Sequence, residues 1–148
     1  EHSSALLPTA VAMNELGKMA LLDNNRQLAK QYFNEAAQGQ GRVGQEAGLS
    51  FARLDVEDNP GNYIVVRPYV DDEGRIFGRI FNNSNIDLSD ISLNFAAVLG
   101  DRVGTQSRTV SSLMANSFTD INSGMRFPND QAWTNEQMQV EVRSARAL

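Results

Sequence analysis

The spacing of apolar residues changes near residue 60 of this 148-residue chain. Up to that point apolar residues recur at intervals of three and four, which is typical of amphipathic helices. Beyond Asn59-Pro60-Gly61 they alternate with polar residues, which is typical of half-buried strands. The change predicts an α+β chain with two domains, a helical segment over residues 1–58 and a β-sandwich over residues 61–148.

The first segment is expected to hold three helices. The first has one apolar stripe, formed by Met13, Leu16, Gly17 and Ala20. The second repeats the spacing with Ala29, Tyr32, Phe33 and Ala36, after Asp23-Asn24-Asn25, whose side chains suit an N-cap. Gly39 and Gly41 separate it from a third helix over roughly residues 43–54, which the proline at position 60 brings to an end.

The second segment contains short alternating stretches between turn signals. Five strands are predicted, at residues 63–70, 75–81, 91–99, 106–113 and 138–145. Turn-forming residues lie at 71–74 and 82–85, and similar breaks are expected at Gly100-Asp101 and Ser123-Gly124. Since no helical stretch separates these strands, the pattern favours an antiparallel sandwich over a βαβ fold.

One strand has an unusual sequence, GRIFGRIF, at residues 74–81. As a helix it would carry two glycines four apart, but glycine is a poor helix former and turn residues bound the segment. As a strand it directs Ile76, Gly78 and Ile80 to the core, with Gly78 at a bulge or a close backbone approach. Phe77 and Phe81 then lie on the opposite face, where the helical segment or the last residues of the chain are expected to cover them.

Residues 10–43 resemble a tetratricopeptide repeat, a helical hairpin of about 34 residues. Met13, Leu16, Gly17, Ala20, Ala29, Phe33, Ala36 and Gly41 keep its spacing, with Ala20 replacing an aromatic and Gly41 a proline. The physical basis is that Gly17 and Ala29 allow close helix packing while Phe33 fills the space between the helices. A generic helical hairpin is the alternative. The resemblance implies the last repeat of an array followed by a capping helix, and therefore an upstream domain or protein partner.

The start of the second segment resembles that of FxLYD-type sandwich domains, which are small immunoglobulin-like folds of bacterial envelope proteins. Gly78, Ile80, Asn82, Asn83 and Ser84 match the pattern, and INSGMRF at 121–127 is similar to its later turn. Residues 96–99 (Ala-Ala-Val-Leu) replace the expected Leu-Tyr-Asp ending. The resemblance implies an antiparallel immunoglobulin-like sandwich and a periplasmic or cell-envelope location.

The order of the two segments resembles the C-terminal region of bacterial envelope zinc metalloproteases with helical repeats. That resemblance implies a catalytic domain upstream of residue 1, and it makes this chain a non-catalytic appendage. The chain begins with Glu-His-Ser-Ser, which we interpret as the start of an excised piece of a longer protein.

The amino-acid composition limits the kinds of functional site that this chain can form. The chain has no cysteine and its only histidine is His2, which argues against zinc or copper sites and against Ser-His or Cys-His catalysis. The net charge of −5 argues against nucleic acid as a partner. No apolar run approaches the roughly 18 residues of a membrane span. The carboxylates at 71–73 are interpreted as a solvated hairpin turn, because neither an EF-hand spacing nor a cleft is evident. No cofactor and no catalytic residue is predicted.

Two candidate binding regions remain. One is the face of the first helix with Asn14, Lys18 and Leu21, which lines a peptide groove in such repeats and is otherwise a solvent face or a seam without its neighbour. The other is Trp133, which either folds over one end of the core or is exposed to stack on a ligand. Arg67, Arg75 and Arg79 are also expected on one sheet face, balanced by acidic residues. The predicted function is a protein-interaction or scaffolding segment of a larger bacterial envelope protein; the alternative is a sandwich that binds glycan or peptide.

Overall fold

The computed structural model describes residues 9–128 and 133–148. Within these residues the protein is α+β, with three α-helices followed by two antiparallel sheets of three strands each. By its internal contacts the chain divides into a first unit that ends at Asp58 and a second unit that begins at Asn59. The predicted fold class is confirmed at this level, whereas its tetratricopeptide and immunoglobulin-like types stay predictions.

The helices of the first unit are α1 (Ala10–Leu22), α2 (Arg26–Ala36) and α3 (Gly41–Asp58). As expected, Asn25 caps α2, since its side chain accepts a hydrogen bond of 3.3 Å from the backbone N–H of Leu28. The third helix extends beyond the predicted residues at both ends. It stops immediately before Asn59, whose conformation is restricted by the following proline, and a 3₁₀ turn follows at Pro60–Asn62.

The first unit is held together by small residues packed around one aromatic ring. Phe33 of α2 is almost fully buried, and a Cβ placed on Gly17 of α1 would lie 2.6 Å from its Cε1 atom. Only glycine leaves room for the ring at this position. The sequence interpretation, in which Gly17 permits close approach and Phe33 fills the space, is therefore confirmed.

The buried stripe of α1 is rotated relative to the prediction. Leu16, which was assigned to it, is 37% exposed, whereas Asn14 is only 5% exposed. The buried positions of the helix are Asn14, Gly17 and Ala20. The reason is geometric, because the Phe33 ring needs the flat surface at Gly17 and thereby sets which side of α1 faces the other helices.

Charged residues fasten α2 to the end of α3. The Lys30 ammonium lies 3.0 Å from the Asp55 carboxylate and 2.8 Å from that of Asp58, and it lies over the Phe51 ring at 5.7 Å. The hydrogen bond with Asp58 raises the pKa of Lys30 and lowers the pKa of Asp58. This cluster was not predicted, because it joins residues far apart in the sequence.

The second unit contains six strands in two sheets. The strands are β1 (Ile64–Val70), β2 (Arg75–Asn82), β3 (Leu88–Leu99), β4 (Arg102–Leu113), β5 (Phe118–Arg126) and β6 (Met138–Ala147). One sheet has the order β1-β2-β5 and the other β4-β3-β6, and all pairs are antiparallel. The five predicted strands correspond to β1–β4 and β6, with their ends shifted by a few residues.

The prediction of a turn at 121–127 and a break at Ser123-Gly124 is wrong, because both lie in β5. Gly124 has a φ of +83° inside the strand. Between the Arg75–Arg126 and Phe77–Asn122 pairs, one residue of β2 opposes three residues of β5, so the strand bulges. The sequence signal was a genuine left-handed glycine, but the chain uses it for a bulge and not for a reversal.

An arginine from the other sheet fills the space beside this bulge. Arg108 of β4 donates from Nε to the carbonyl oxygen of Asn122 at 3.2 Å. A Cβ at Gly124 would overlap its guanidinium group. Arg108 therefore connects the two sheets on the side where β4 and β5 lie. Its hydrogen bond also satisfies a backbone carbonyl group on the edge of β5.

The GRIFGRIF segment forms β2 with the predicted orientation. Ile76, Gly78 and Ile80 are buried. A Cβ on Gly78 would lie 2.9 Å from the ring of Phe95, which belongs to β3 of the other sheet. Gly78 therefore marks a close approach between the sheets, as the sequence suggested.

A buried asparagine closes one end of the sandwich. The Asn82 side-chain amide donates to the carbonyl oxygens of Ile86, Leu113 and Met114 at 2.8, 3.1 and 3.1 Å. Its Oδ1 accepts from the backbone and the hydroxyl of Ser84. One side chain thus links the β2–β3 loop to the end of β4.

Candidate binding surface

The two sheets present different outer faces. In the β1-β2-β5 sheet, the side chains opposite the core are aromatic, apolar or charged: Val65, Arg67, Tyr69, Phe77, Arg79, Phe81, Phe118 and Asp120. We call this set the aromatic–arginine face. In the β4-β3-β6 sheet, the positions opposite the core of β3 and their partners are mostly small and polar: Ser92, Asn94, Ser107, Thr109, Glu141 and Ser144. The exposed apolar residues of that face, Val98 and Val103, lie at its end.

The strand register arranges the aromatic–arginine face in rows. One row runs across the sheet through Val65, Phe81 and Phe118. The next runs through Arg67, Arg79 and Asp120. In an antiparallel sheet, side chains opposite each other on one face are within contact distance. Aromatic or apolar rows therefore lie next to the charged row on this face.

Aromatic rings and guanidinium groups stack on one another within this face. Tyr69 and Phe77 are stacked with centroids 5.4 Å apart and planes 11° apart, and Phe81 and Phe118 are 5.7 Å apart. The Arg79 guanidinium lies 4.8 Å from the Phe118 ring and 5.7 Å from the Tyr69 ring. These contacts hold the side chains in place and leave a surface of fixed shape.

An ion pair balances Arg79. Its Nε and Nη2 donate to the two carboxylate oxygens of Asp120 at 2.8 and 3.1 Å, which is the bidentate geometry of a strong arginine pair. This hydrogen bonding lowers the pKa of Asp120 and raises that of Arg79. Burial raises the pKa of the Tyr69 hydroxyl, and the nearby Asp120 carboxylate adds to the increase. The centre of the face is therefore electrically neutral.

Arg67 is different. It lies over the Phe81 ring at 5.8 Å and opposite Arg79, and among the described residues it forms no ion pair. Val65, at 38% exposure, precedes it on the same face of β1, and Phe118, at 55% exposure, lies in the row of Val65 but two strands away on β5. The expectation that Arg67, Arg75 and Arg79 share a face is confirmed by the register, but acidic residues balance only two of them: Arg75 pairs with Asp71 and Glu73.

The expected cover for Phe77 and Phe81 comes from their own sheet. Tyr69 stacks on Phe77, while Phe118 and Arg67 contact Phe81. The last residues of the chain were predicted to cover them and do not, because they form β6 and pair with β3. The phenylalanines are consequently only half-buried.

A cavity of about 560 Å³ lies beside the β1–β2 hairpin. Its lining consists of residues 70–74, residues 126–128 and Trp133. Asp71 organises the hairpin: its Oδ1 accepts from the backbone of Glu73 and Arg75, and its Oδ2 accepts from Arg75 Nε at 2.7 Å. The interpretation of residues 71–73 as a solvated turn is confirmed.

The structure places the other predicted binding residues as follows. Trp133 stacks on buried Phe127, with centroids 5.7 Å apart, and remains 40% exposed, while its stacking on a ligand stays a prediction. Lys18 is exposed and pairs with Glu15. Leu21 is partly exposed, but Asn14 is buried and its Oδ1 has no hydrogen-bond partner. Of the predicted face on α1, Lys18 and Leu21 are therefore accessible, as is Val11 at 56% exposure, whereas Asn14 is not.

Phe118 and Asp120 were not predicted from the sequence as surface-forming residues. Phe118 and Asp120 belong to the strand that was not predicted, and they pair with Phe81 and Arg79 of β2. The signal that was available is the alternation of Phe118, Asp120 and Asn122 with smaller residues over 118–122.

In the described part of the chain, no three His, Asp or Glu side chains cluster closely enough to hold a metal ion. No helix within residues 9–128 or 133–148 has the length and apolarity needed to cross a membrane. Comparisons with protein-family models, with curated proteins and with solved structures found no match.

Proposed function

We propose that this chain is a non-catalytic protein-interaction module that binds a partner through the aromatic–arginine face. The observation that carries the proposal is the contrast between the two sheets: one outer face is rich in aromatic residues and arginine, and the other is largely small and polar. Aromatic residues and arginine are enriched in protein interfaces, because they supply large contact areas and directional hydrogen bonds.

The face indicates the chemistry of its partner. Arg67 offers a positive charge one row away from the row formed by Val65, Phe81 and Phe118, whose outer members are exposed. Neighbouring rows of a sheet are about 7 Å apart along the strands. A complementary segment therefore presents a carboxylate and an apolar side chain at about that separation.

A second copy of this chain fits the face poorly. In a symmetric pair whose two-fold axis passes near Arg67, the same patch meets itself and the two Arg67 side chains approach one another. Like charges that face each other oppose association, whereas a partner with carboxylates is attracted. We therefore favour a different protein segment as the partner.

The wider context is also a proposal. The packing of Gly17 against Phe33, with small residues at Ala20, Ala29 and Ala36, supports the assignment of α1 and α2 as a tetratricopeptide-like hairpin. On that assignment the first unit packs on an upstream array or partner. The chain would then be the scaffolding end of a larger periplasmic or cell-envelope protein.

The proposed face can be tested with short peptides and amide chemical shifts. The probe is acetyl-Ala-Asp-Ala-Leu-Ala-amide, and two further peptides replace its Asp with Lys or its Leu with Ser. We expect the first peptide to shift amides of β1, β2 and β5, and the other two to bind more weakly. Arg67→Gln and Phe118→Ser should each weaken the first peptide about two- to fivefold.

Matched substitutions elsewhere in the second unit serve as controls. Arg102→Gln removes an exposed arginine of β4, and Val103→Ser removes an exposed apolar residue of the other sheet. Neither should change the binding. Equal binding of the Lys peptide, shifts confined to β3, β4 and β6, or no shift at about 10 mM would each contradict the proposal.

A further inference from the structure

The cavity beside the β1–β2 hairpin is a second place where this chain is suited to bind a ligand, separate from the aromatic–arginine face in its lining residues. Its volume of about 560 Å³ falls within the usual range for ligand sites, which is about 300 to 1,000 Å³. It is lined by the hairpin on one side and by the end of β5 with Trp133 on the other.

Trp133 provides a flat aromatic surface that is held from behind. One side of its indole stacks on the Phe127 ring, with the planes only 7° apart, and Phe127 is itself buried. The indole is nevertheless 40% exposed and contributes to the cavity lining. A supported indole with an open side attracts cations more strongly than any other aromatic side chain.

The charges around this indole are mostly negative. Three carboxylates line the cavity, those of Asp71, Asp72 and Glu73, against one guanidinium, that of Arg126. Arg75 pairs with Asp71 and Glu73, and Arg126 donates to the carbonyl oxygen of Glu73. Asp72 has neither a hydrogen bond nor an ion pair from its side chain within residues 9–128 and 133–148. One carboxylate in the same cavity lining as the indole is thus available to a ligand.

We propose that this cavity binds a lysine or arginine side chain of a partner polypeptide, with the cation between the Trp133 indole and the Asp72 carboxylate. The net negative charge of the lining disfavours an acidic ligand. The volume accommodates a basic side chain together with its neighbouring backbone.

Trp133 is the only tryptophan of the chain, so its fluorescence reports on this site alone. The test titrates the full chain with acetyl-Gly-Lys-Gly-amide, with its Arg and Glu analogues, and with glucosamine and a neutral disaccharide. We expect a saturable change with the Lys and Arg peptides, with a midpoint at or below about 10 mM, and none with the Glu peptide. The affinity should fall in 0.5 M salt, since exposed charges are screened.

Asp72→Asn should weaken the Lys peptide about two- to fivefold, whereas Asp101→Asn, which removes an exposed carboxylate of the β3–β4 turn, should leave its binding unchanged. Amide shifts at residues 70–74 give a second measurement that does not depend on tryptophan. A response to glucosamine or the disaccharide without one to the peptides would overturn the proposal in favour of a sugar. Equal affinity for the Glu peptide, an unchanged midpoint in Asp72→Asn, or no response by either method would overturn it outright.

Discussion

Replacement of Gly17 by alanine separates two effects that act in opposite directions on the first unit. In a helix interior, alanine is more favourable than glycine by about 1 kcal/mol. At Gly17, however, the new methyl group would lie 2.6 to 2.9 Å from three ring atoms of Phe33, which is closer than real contacts allow. Such overpacking costs about 1–3 kcal/mol in a filled core. The net expectation is a destabilisation of up to about 2 kcal/mol.

Gly48 of α3 provides the matched control. It also lies inside a helix, but an added Cβ would meet only the Ala37 methyl group at 3.9 Å, which is an ordinary contact. Gly48→Ala should therefore stabilise the unit by about 0.5–1 kcal/mol. The two substitutions have the same chemistry and opposite expected signs, so their difference isolates the contact with Phe33.

The assay is urea unfolding of the full chain followed by circular dichroism at 222 nm, where the helices dominate. A double-mutant cycle with Phe33→Leu adds a direct test, because a smaller side chain at position 33 should reduce the cost of Gly17→Ala. A Gly17→Ala variant that is as stabilising as Gly48→Ala would refute the reasoning, as would a cycle with no coupling.

Three further predictions concern the second unit. Gly78→Ala should lower its free energy of unfolding by about 1–3 kcal/mol, because the methyl group meets the Phe95 ring at 2.9 Å, and Trp133 fluorescence in urea measures this. Asn82→Ala should cost about 2–4 kcal/mol in the same assay, since it removes a buried side chain that donates to the carbonyl groups of Ile86, Leu113 and Met114 and accepts from Ser84. Above pH 4, the ion pair between Asp120 and Arg79 should add a few tenths of a kcal/mol to the free energy of unfolding. The Asp120→Asn variant should lack this contribution.

The sign of the pH effect follows from the lowered pKa of Asp120. Its stabilising contribution is present above the pKa of the unfolded chain, near 3.9, and is lost as the pH falls through the lower pKa of the folded state.

Gly61→Ala, at an open position, serves as the control for Gly78→Ala, and Asn83→Ala, at an exposed neighbour, serves as the control for Asn82→Ala. Equal effects at target and control, or an Asp120→Asn variant with the same acid sensitivity as the original chain, would contradict these expectations.

The sequence predicted the features that depend on local spacing. Three features follow from residues that are close together in the sequence. They are the α+β order, the cap at Asn25 and the inward face of β2. The Gly17–Phe33 contact was also accessible, because small residues at helical spacing imply close approach. The predicted positions of Asn14 and Leu16 were wrong. A stripe of mixed small and large residues does not fix the rotation of α1, which is set by its contact with the Phe33 ring.

The candidate surface was only partly predictable, for a physical reason. A left-handed glycine is equally compatible with a turn and with a bulge, and Gly124 was assigned to the wrong one. Without β5, neither Phe118 nor Asp120 could be placed opposite β2. Arg79 has Asp120 as its partner, and Arg67 has no such partner among the described residues, because of the register between β2 and β5. No local sequence pattern specifies that register.

Arg108 has a consequence for how this sheet can recognise other molecules. The carbonyl group of Asn122 on one edge is occupied by the Arg108 guanidinium, and on the other edge Pro68 of β1 has no N–H to donate. Both edges are therefore poor templates for an added strand, and the sheet is protected from polymerisation through its backbone. A ligand of this sheet must then be chosen by its side chains, and a helix or an irregular loop can compete for it on equal terms with an extended segment.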